Sequence, residues 1–104
     1  MSHNQLKNVI TQYLMLKGYI VANFYAGGLM KDGKYIKRKN ATGVSDLICC
    51  SPSGKFIAIE VKVKPDKPND CQEGFLSEVE QNSGIAIVAY SLDDVVDKLK
   101  QNNL

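Results

Sequence analysis

The chain has 104 residues, 44% of them apolar and 23% charged, with a formal net charge of +2. That is one domain's length with one modest core, and the composition excludes a disordered chain. No apolar run approaches the roughly 20 residues of a membrane span, and Met1-Ser2-His3-Asn4-Gln5 lacks the layout of a signal peptide. A cytoplasmic protein with no membrane partner is the expectation. Cys49 and Cys50 sit together in an apolar run and Cys71 stands alone, with no CxxC pair. Reduced, partly buried thiols fit that spacing better than a zinc site.

The first periodic segment runs from about Asn4 to Lys17. Leu6, Val9, Ile10, Tyr13 and Leu14 form one helical stripe. Ser2 and Gln5 have capping-box spacing, and Gly18 supplies the stop. Tyr19 to Tyr25, rich in β-branched and aromatic residues, reads as a strand broken by Gly27-Gly28. An Asp32-Gly33 turn signal makes Tyr35 to Arg38 a second short strand or part of a loose hairpin.

Val44 to Cys50 and Lys55 to Lys64 read as two strands joined by the turn Ser51-Pro52-Ser53-Gly54. In the second strand Ile57, Ile59, Val61 and Val63 alternate with Phe56, Ala58, Glu60 and Lys62. The β-branched set is expected to face a core, with Glu60 and Lys62 on the opposite face. A helix follows over about 70–81, with Phe75, Leu76 and Val79 inward, then a strand from Ile85 to Tyr90. A second capping box, Ser91 and Asp94, opens a last helix with Leu92, Val95, Val96 and Leu99 as its stripe. The order predicts a mixed α/β layout around one sheet. The strand from Ile85 is expected to run parallel to Glu60's strand, because a helical crossover joins them.

One constellation carries chemistry. Gly43-Val44-Ser45-Asp46 is followed, fourteen residues after the aspartate, by Glu60-Val61-Lys62. Hydrolysis of a phosphodiester needs an activated water and a counter-charge for the phosphate. A hard cation such as magnesium serves both and takes oxygen ligands. Two carboxylates from neighbouring strands could grip it, and the backbone carbonyl of Val61 could add a ligand. Lys62 could orient the water or hold developing charge. A Glu-x-Lys triplet alone arises by chance in on the order of a third of chains this long, so the placement matters more than the triplet. Both charges lie in the most apolar strand, where a charge needs a reason. The competing interpretation is a salt-bridged pair on a solvated sheet face.

Gln72 lies in the first turn of the next helix, on its inward stripe. It could contact water or phosphate near Lys62, or bond to loop backbone. Lys31, Lys34, Lys37, Arg38 and Lys39, with Tyr35 interleaved and Lys64 and Lys67 beyond, could track a phosphate backbone or form a solvated loop. His3, the chain's one histidine, could be a ligand near the first helix but is read in preference as a frayed terminal residue. One histidine there cannot build a Ser-His-Asp set, and no glycine-rich phosphate loop is present.

Together, Gly43-Val44-Ser45-Asp46-Leu47-Ile48, the run Gly54 to Lys62, and Gln72 with Phe75-Leu76 resemble the VRR-NUC domain of the PD-(D/E)xK nuclease superfamily. The resemblance extends to Tyr13-Leu14-Met15-Leu16-Lys17-Gly18 and Gly84-Ile85-Ala86-Ile87-Val88, and so to nearly the whole chain. It implies one nuclease domain over 1–104 with a restriction-endonuclease-like α/β fold, a central mixed sheet flanked by helices. It also implies that Asp46 and Glu60 bind Mg2+ or Mn2+, that Lys62 is the catalytic lysine, and that Gln72 is the glutamine typical of the family. Stand-alone members resemble Holliday-junction resolvases, which implies a homodimer acting on branched DNA in a bacterial or phage-infected cell. Two departures stand out. Ser45 replaces a proline, and the first helix lacks the family's glutamate, leaving Gln5 as the nearest candidate to hold a metal-bound water. The alternative function is a DNA-binding module of this fold that does not cut; a third is a small α/β interaction protein with no nucleic-acid partner.

Overall fold

A computed structural model describes residues 1–24, 28–31, 34–37 and 43–104. Helix α1 spans His3–Leu16. Its capping box is closed on both sides: Gln5 N–H donates to Ser2 Oγ at 3.2 Å, and Ser2 N–H donates to Gln5 Oε1 at 2.8 Å. Gly18, at φ +85°, takes the left-handed conformation that ends the helix. Strand β1 (Ile20–Asn23) follows, then β2 (Gly28–Lys31), β3 (Lys34–Lys37), β4 (Leu47–Cys50) and β5 (Phe56–Val61). Helix α2 (Asp70–Gln81), β6 (Ile85–Ala89) and α3 (Leu92–Gln101) complete the order.

The main sheet has the order β1-β4-β5-β6. Its first two pairings are antiparallel and β5 pairs with β6 in parallel, as a helical crossover between neighbouring strands requires. β2 and β3 form their own two-stranded antiparallel sheet. The sequence pattern missed β2, whose Gly27-Gly28 lead-in looks like a break rather than a strand start.

Each face of the main sheet has its own core. Leu47, Cys49, Ile57, Ile59, Val61, Ile85 and Ile87 face α1 and α3, which contribute Leu6, Ile10, Leu14, Val95 and Leu99. On the other face Ala58 packs with Leu76 and Val79 of α2, joined by Ile48, Phe75, Ala86 and Val88. Strand β5 is therefore covered on both faces, and the residue after Ile59 points into the α2 side.

Three sequence expectations need correction. Val63 is 37% exposed rather than in the core, because β5 stops pairing at Val61↔Ala89 and the last ladder bond is Lys62 N–H to Ala89 C=O. Val44, Ser45 and Asp46 lie before β4 rather than in it: Gly43 takes φ +83°, and pairing with β5 begins only at Leu47. Ser91 does cap α3, accepting from Asp94 N–H at 3.2 Å, but Asp94 does not return the bond to Ser91. Its carboxylate accepts from Tyr90 N–H instead, at 2.8 Å. The shorter Asp side chain serves the neighbouring amide where the capping box uses Glu or Gln. Among the described residues no helix is long and apolar enough to cross a membrane.

Positions within the ladder and beyond it differ in energetic weight. Ile59→Ala, at a fully buried site, is expected to cost about 2–5 kcal/mol of unfolding free energy. Val63→Ala, beyond the ladder, is expected to cost no more than about 0.5 kcal/mol. Urea titrations of both variants measure the difference.

Candidate active site

Antiparallel pairing brings the two acids together. Leu47 is the register partner of Ile59, and one further step along that register sets Asp46 across from Glu60. The aspartate is held from both sides. Its backbone C=O accepts from Phe24 N–H at 2.9 Å, which ties it to the end of β1. Its side-chain Oδ2 accepts from Val61 N–H at 2.9 Å. Val61 thus serves the site through its amide, a contribution that side-chain patterns do not reveal. Just before, the fully buried Ser45 donates its hydroxyl to Leu47 C=O at 3.0 Å. Gly43 seats this segment on α2: a Cβ there would lie 2.2 Å from the carbonyl oxygen of Cys71. Only glycine fits both that approach and its positive φ.

Glu60 is 2% exposed, which rules out a solvated sheet face. Its Oε1 accepts from Gln72 Nε2 at 3.2 Å. Lys62 Nζ stands 3.7 Å from the same oxygen, beyond hydrogen-bond reach but close enough to act electrostatically. The other oxygen, Oε2, is buried and has no hydrogen-bond partner among the described residues. Burial, and next the charge and hydrogen bonding of Asp46, push the Glu60 carboxyl up to about 8, while Lys62 pulls it down. At neutral pH the isolated chain therefore tends to keep a proton on Glu60.

Gln72 bonds loop backbone, one of its two expected roles, and its side chain also reaches Glu60. Its Oε1 accepts from Asn69 N–H at 2.9 Å, and Asn69 Oδ1 accepts from Gln72 N–H at 2.9 Å, a capping box that opens α2. Its Nε2 remains for Glu60. The glutamine is therefore clamped by backbone and aims one N–H at the acid. Gln5, expected near the metal, has its Oε1 in the α1 cap. His3 is not a frayed end: it is the first residue of α1, and its Nε2 lies 3.3 Å from Asp46 Oδ2. A signal for it was present, since the Ser2–Gln5 box anchors the helix start that carries His3.

The orphaned Glu60 oxygen and the facing Asp46 carboxylate are oxygen donors of the kind a hard divalent cation takes. Among the described residues no three His, Cys, Asp or Glu side chains are already gathered into a metal shell. A two-acid set still fits Mg2+, which is commonly held by one or two carboxylates with water and phosphate completing its shell. Of the basic residues, Lys31 lies on β2 and Lys34 and Lys37 lie on β3. Arg38 and Lys39 fall outside the described residues. Lys64 is exposed, with Nζ 5.6 Å from the centre of the Tyr90 ring. The three cysteines are free thiols: Cys49 is buried, Cys50 partly so and Cys71 exposed.

The family model of the VRR-NUC domain matches residues 7–93. A solved structure described as a VRR-NUC domain superposes with a TM-score of 0.69 at 20% identity, over 98% of this chain and 97% of that one. The match shows that the α/β arrangement is the restriction-endonuclease-like fold. No curated protein matches the sequence.

Two outcomes follow from the buried acid and its glycine seat. Folded Glu60 holds its proton up to about 8, against 4.5 for an ordinary glutamate. Between those values the folded state binds more protons, so stability falls as pH rises through that window. Chelator-treated protein is expected to melt at higher temperature at pH 5 than at pH 8. Glu60→Gln should flatten that dependence and raise the pH 8 midpoint by about 4–8 °C per kcal/mol recovered; thermal melts across pH read it out. Gly43→Ala is expected to destabilise by more than about 1 kcal/mol, measured by denaturant unfolding.

Proposed function

The chain belongs to the VRR-NUC family, a nuclease-domain family, and on that premise we propose that it is a Mg2+- or Mn2+-dependent endonuclease that hydrolyses phosphodiester bonds in DNA. The observation that supports this most is Glu60: a buried acid with an unpartnered oxygen, opposite a second acid, with an ammonium group 3.7 Å away. Most buried polar atoms are hydrogen-bonded, so a buried oxygen without a partner among the described residues calls for an explanation, and a bound ligand supplies one.

Asp46 and Glu60 would hold the cation, with the carbonyl of Val61 as a further oxygen donor. When bound, such a cation promotes attack by water and offsets charge building on the phosphate. The protein's own groups set the geometry. Val61 N–H fixes one oxygen of Asp46, and Gln72 Nε2 fixes one oxygen of Glu60, leaving the other for the ligand. Lys62, whose side chain is 19% exposed, is sheltered on one side and open on the other. Its three N–H donors can orient the attacking water or hold a phosphate oxygen. Losing one such donor from a sheltered site typically costs about 100-fold or more in rate.

Branched DNA is the substrate we propose, with a homodimer placing two such sites on two strands. Lys31, Lys34, Lys37, Arg38, Lys39 and Lys64 would follow the backbone through salt-dependent phosphate contacts. This mode reads shape rather than base sequence.

Cleavage assays on four-way junction, flap and linear duplex DNA, with Mg2+, Mn2+ or chelator, test the reading. Metal-dependent cutting is expected, strongest on the junction. Lys62→Ala should lower the rate about 100-fold or more while DNA affinity is kept. DNA binding without cutting under every metal condition would make the chain a DNA-binding module instead.

A further inference from the structure

We propose that Lys7 is a positioning residue for the acid pair: its buried ammonium clamps the chain where β1 ends and so holds the neighbouring Asp46 in place to share an ion with Glu60. This rests on the reading of the acid pair as a metal site. Helix α1 buries Leu6, Lys7, Ile10 and Leu14. The three aliphatic side chains fill the main core. Lys7 is 9% exposed, where a charge is costly and must be matched by a polar group. Its Nζ donates to the backbone C=O of Phe24 at 3.4 Å. That is long for a hydrogen bond, but a full charge still attracts a carbonyl at this range in a sheltered place.

Phe24 is the link to the acid. The register of β1 with β4 ends at Asn23↔Leu47. One step further, Phe24 N–H donates to Asp46 C=O at 2.9 Å. Asp46 therefore hangs on the bond that closes the end of that ladder, and the ends of elements open most readily. Lys7 secures Phe24 from the α1 side. From the β5 side, Val61 N–H secures the Asp46 carboxylate at 2.9 Å. Contacts that support a metal-binding group in this way typically contribute about 10–100-fold to metal affinity.

Lys7 acts through geometry rather than through charge on Glu60. Burial, Asp46 and Lys62 shift the Glu60 carboxyl, and Lys7 is not among the groups that do so. Methionine has nearly the length of lysine and no charge. Lys7→Met keeps an apolar filling on the buried face of α1 and removes a buried ammonium, an exchange that is often neutral or stabilising. A side chain that only fills the core would tolerate it everywhere. A side chain that holds Phe24 would not tolerate it at the site.

The test uses the full chain. In chelator-treated protein, amide hydrogen exchange reads the Phe24 N–H. Lys7→Met is expected to speed that exchange about tenfold, the equivalent of losing one charge-assisted bond, with the melting temperature not lowered. Titration with Mn2+, followed by loss of the free-ion signal in electron paramagnetic resonance, should show affinity weakened by about tenfold or more. Lys7→Arg, which keeps a charged donor, should return both readouts towards the wild type. The assignment is overturned if Lys7→Met leaves the Phe24 amide and Mn2+ affinity unchanged. It is equally overturned if all core amides exchange faster together and the melting temperature drops, since that marks a structural role. In either case Mn2+ binding that is lost in Asp46→Asn leaves the acid-pair reading standing. If the wild type binds neither Mn2+ nor Mg2+, the acid-pair reading fails and this inference falls with it.

Discussion

An acid just before β4 and a buried acid in β5 come together, with Lys62 as the charged neighbour of the buried one. Among the described residues Glu60 accepts from Gln72, and Lys62 stands at a longer distance. Asp46 has the Val61 amide and the His3 ring. Leaving a buried carboxylate oxygen unpaired costs on the order of 1–3 kcal/mol or more. A fold tolerates such a cost only if the rest of the structure holds the group there, and here the holding elements can be named.

Burial comes from β5, which is sandwiched between two cores. Ile57, Ile59 and Val61 anchor it to α1 and α3, while Ala58 sits against Leu76 and Val79 of α2. A strand fixed on both faces cannot turn Glu60 out to water without breaking one core or the other. Position comes from two helix starts. Gln72 is the third residue of α2 and His3 the first of α1, and each helix is locked by a capping box. Each helix start thus brings one side chain to the acidic pair. The caps therefore connect local sequence chemistry to the geometry of a site formed by residues far apart in the chain.

Local pattern carried much of the fold. The helical stripes of α1, α2 and α3 and the alternation of β5 were legible because their periods differ and their residues are strongly sorted. The parallel pairing of β5 with β6 followed from chain connectivity. Less was legible where two readings share one spacing. Gln72 looked like either a cap or a ligand-facing residue; it caps α2 and also reaches Glu60, because its amide has two ends. The Ser91–Asp94 pair had box spacing, but Asp is one carbon shorter than Glu and bonded elsewhere. Val63 continued the strand's alternation past the point where β6 stopped supplying partners, and alternation by itself contains no information about where a neighbour ends.

From the order of residues alone came the identity of the chemical groups: two acids, a lysine, a glutamine and the glycine that precedes the first acid. Composition and periodicity also determined the α/β class, since these are properties of neighbours in the chain. Only the tertiary structure decided that Asp46 stands opposite Glu60, that Glu60 is dry, and that one of its oxygens has no partner. It alone brought His3 across 43 positions of sequence to Asp46. Those are facts about register and helix packing, set by long-range contacts whose energies no local window of sequence contains.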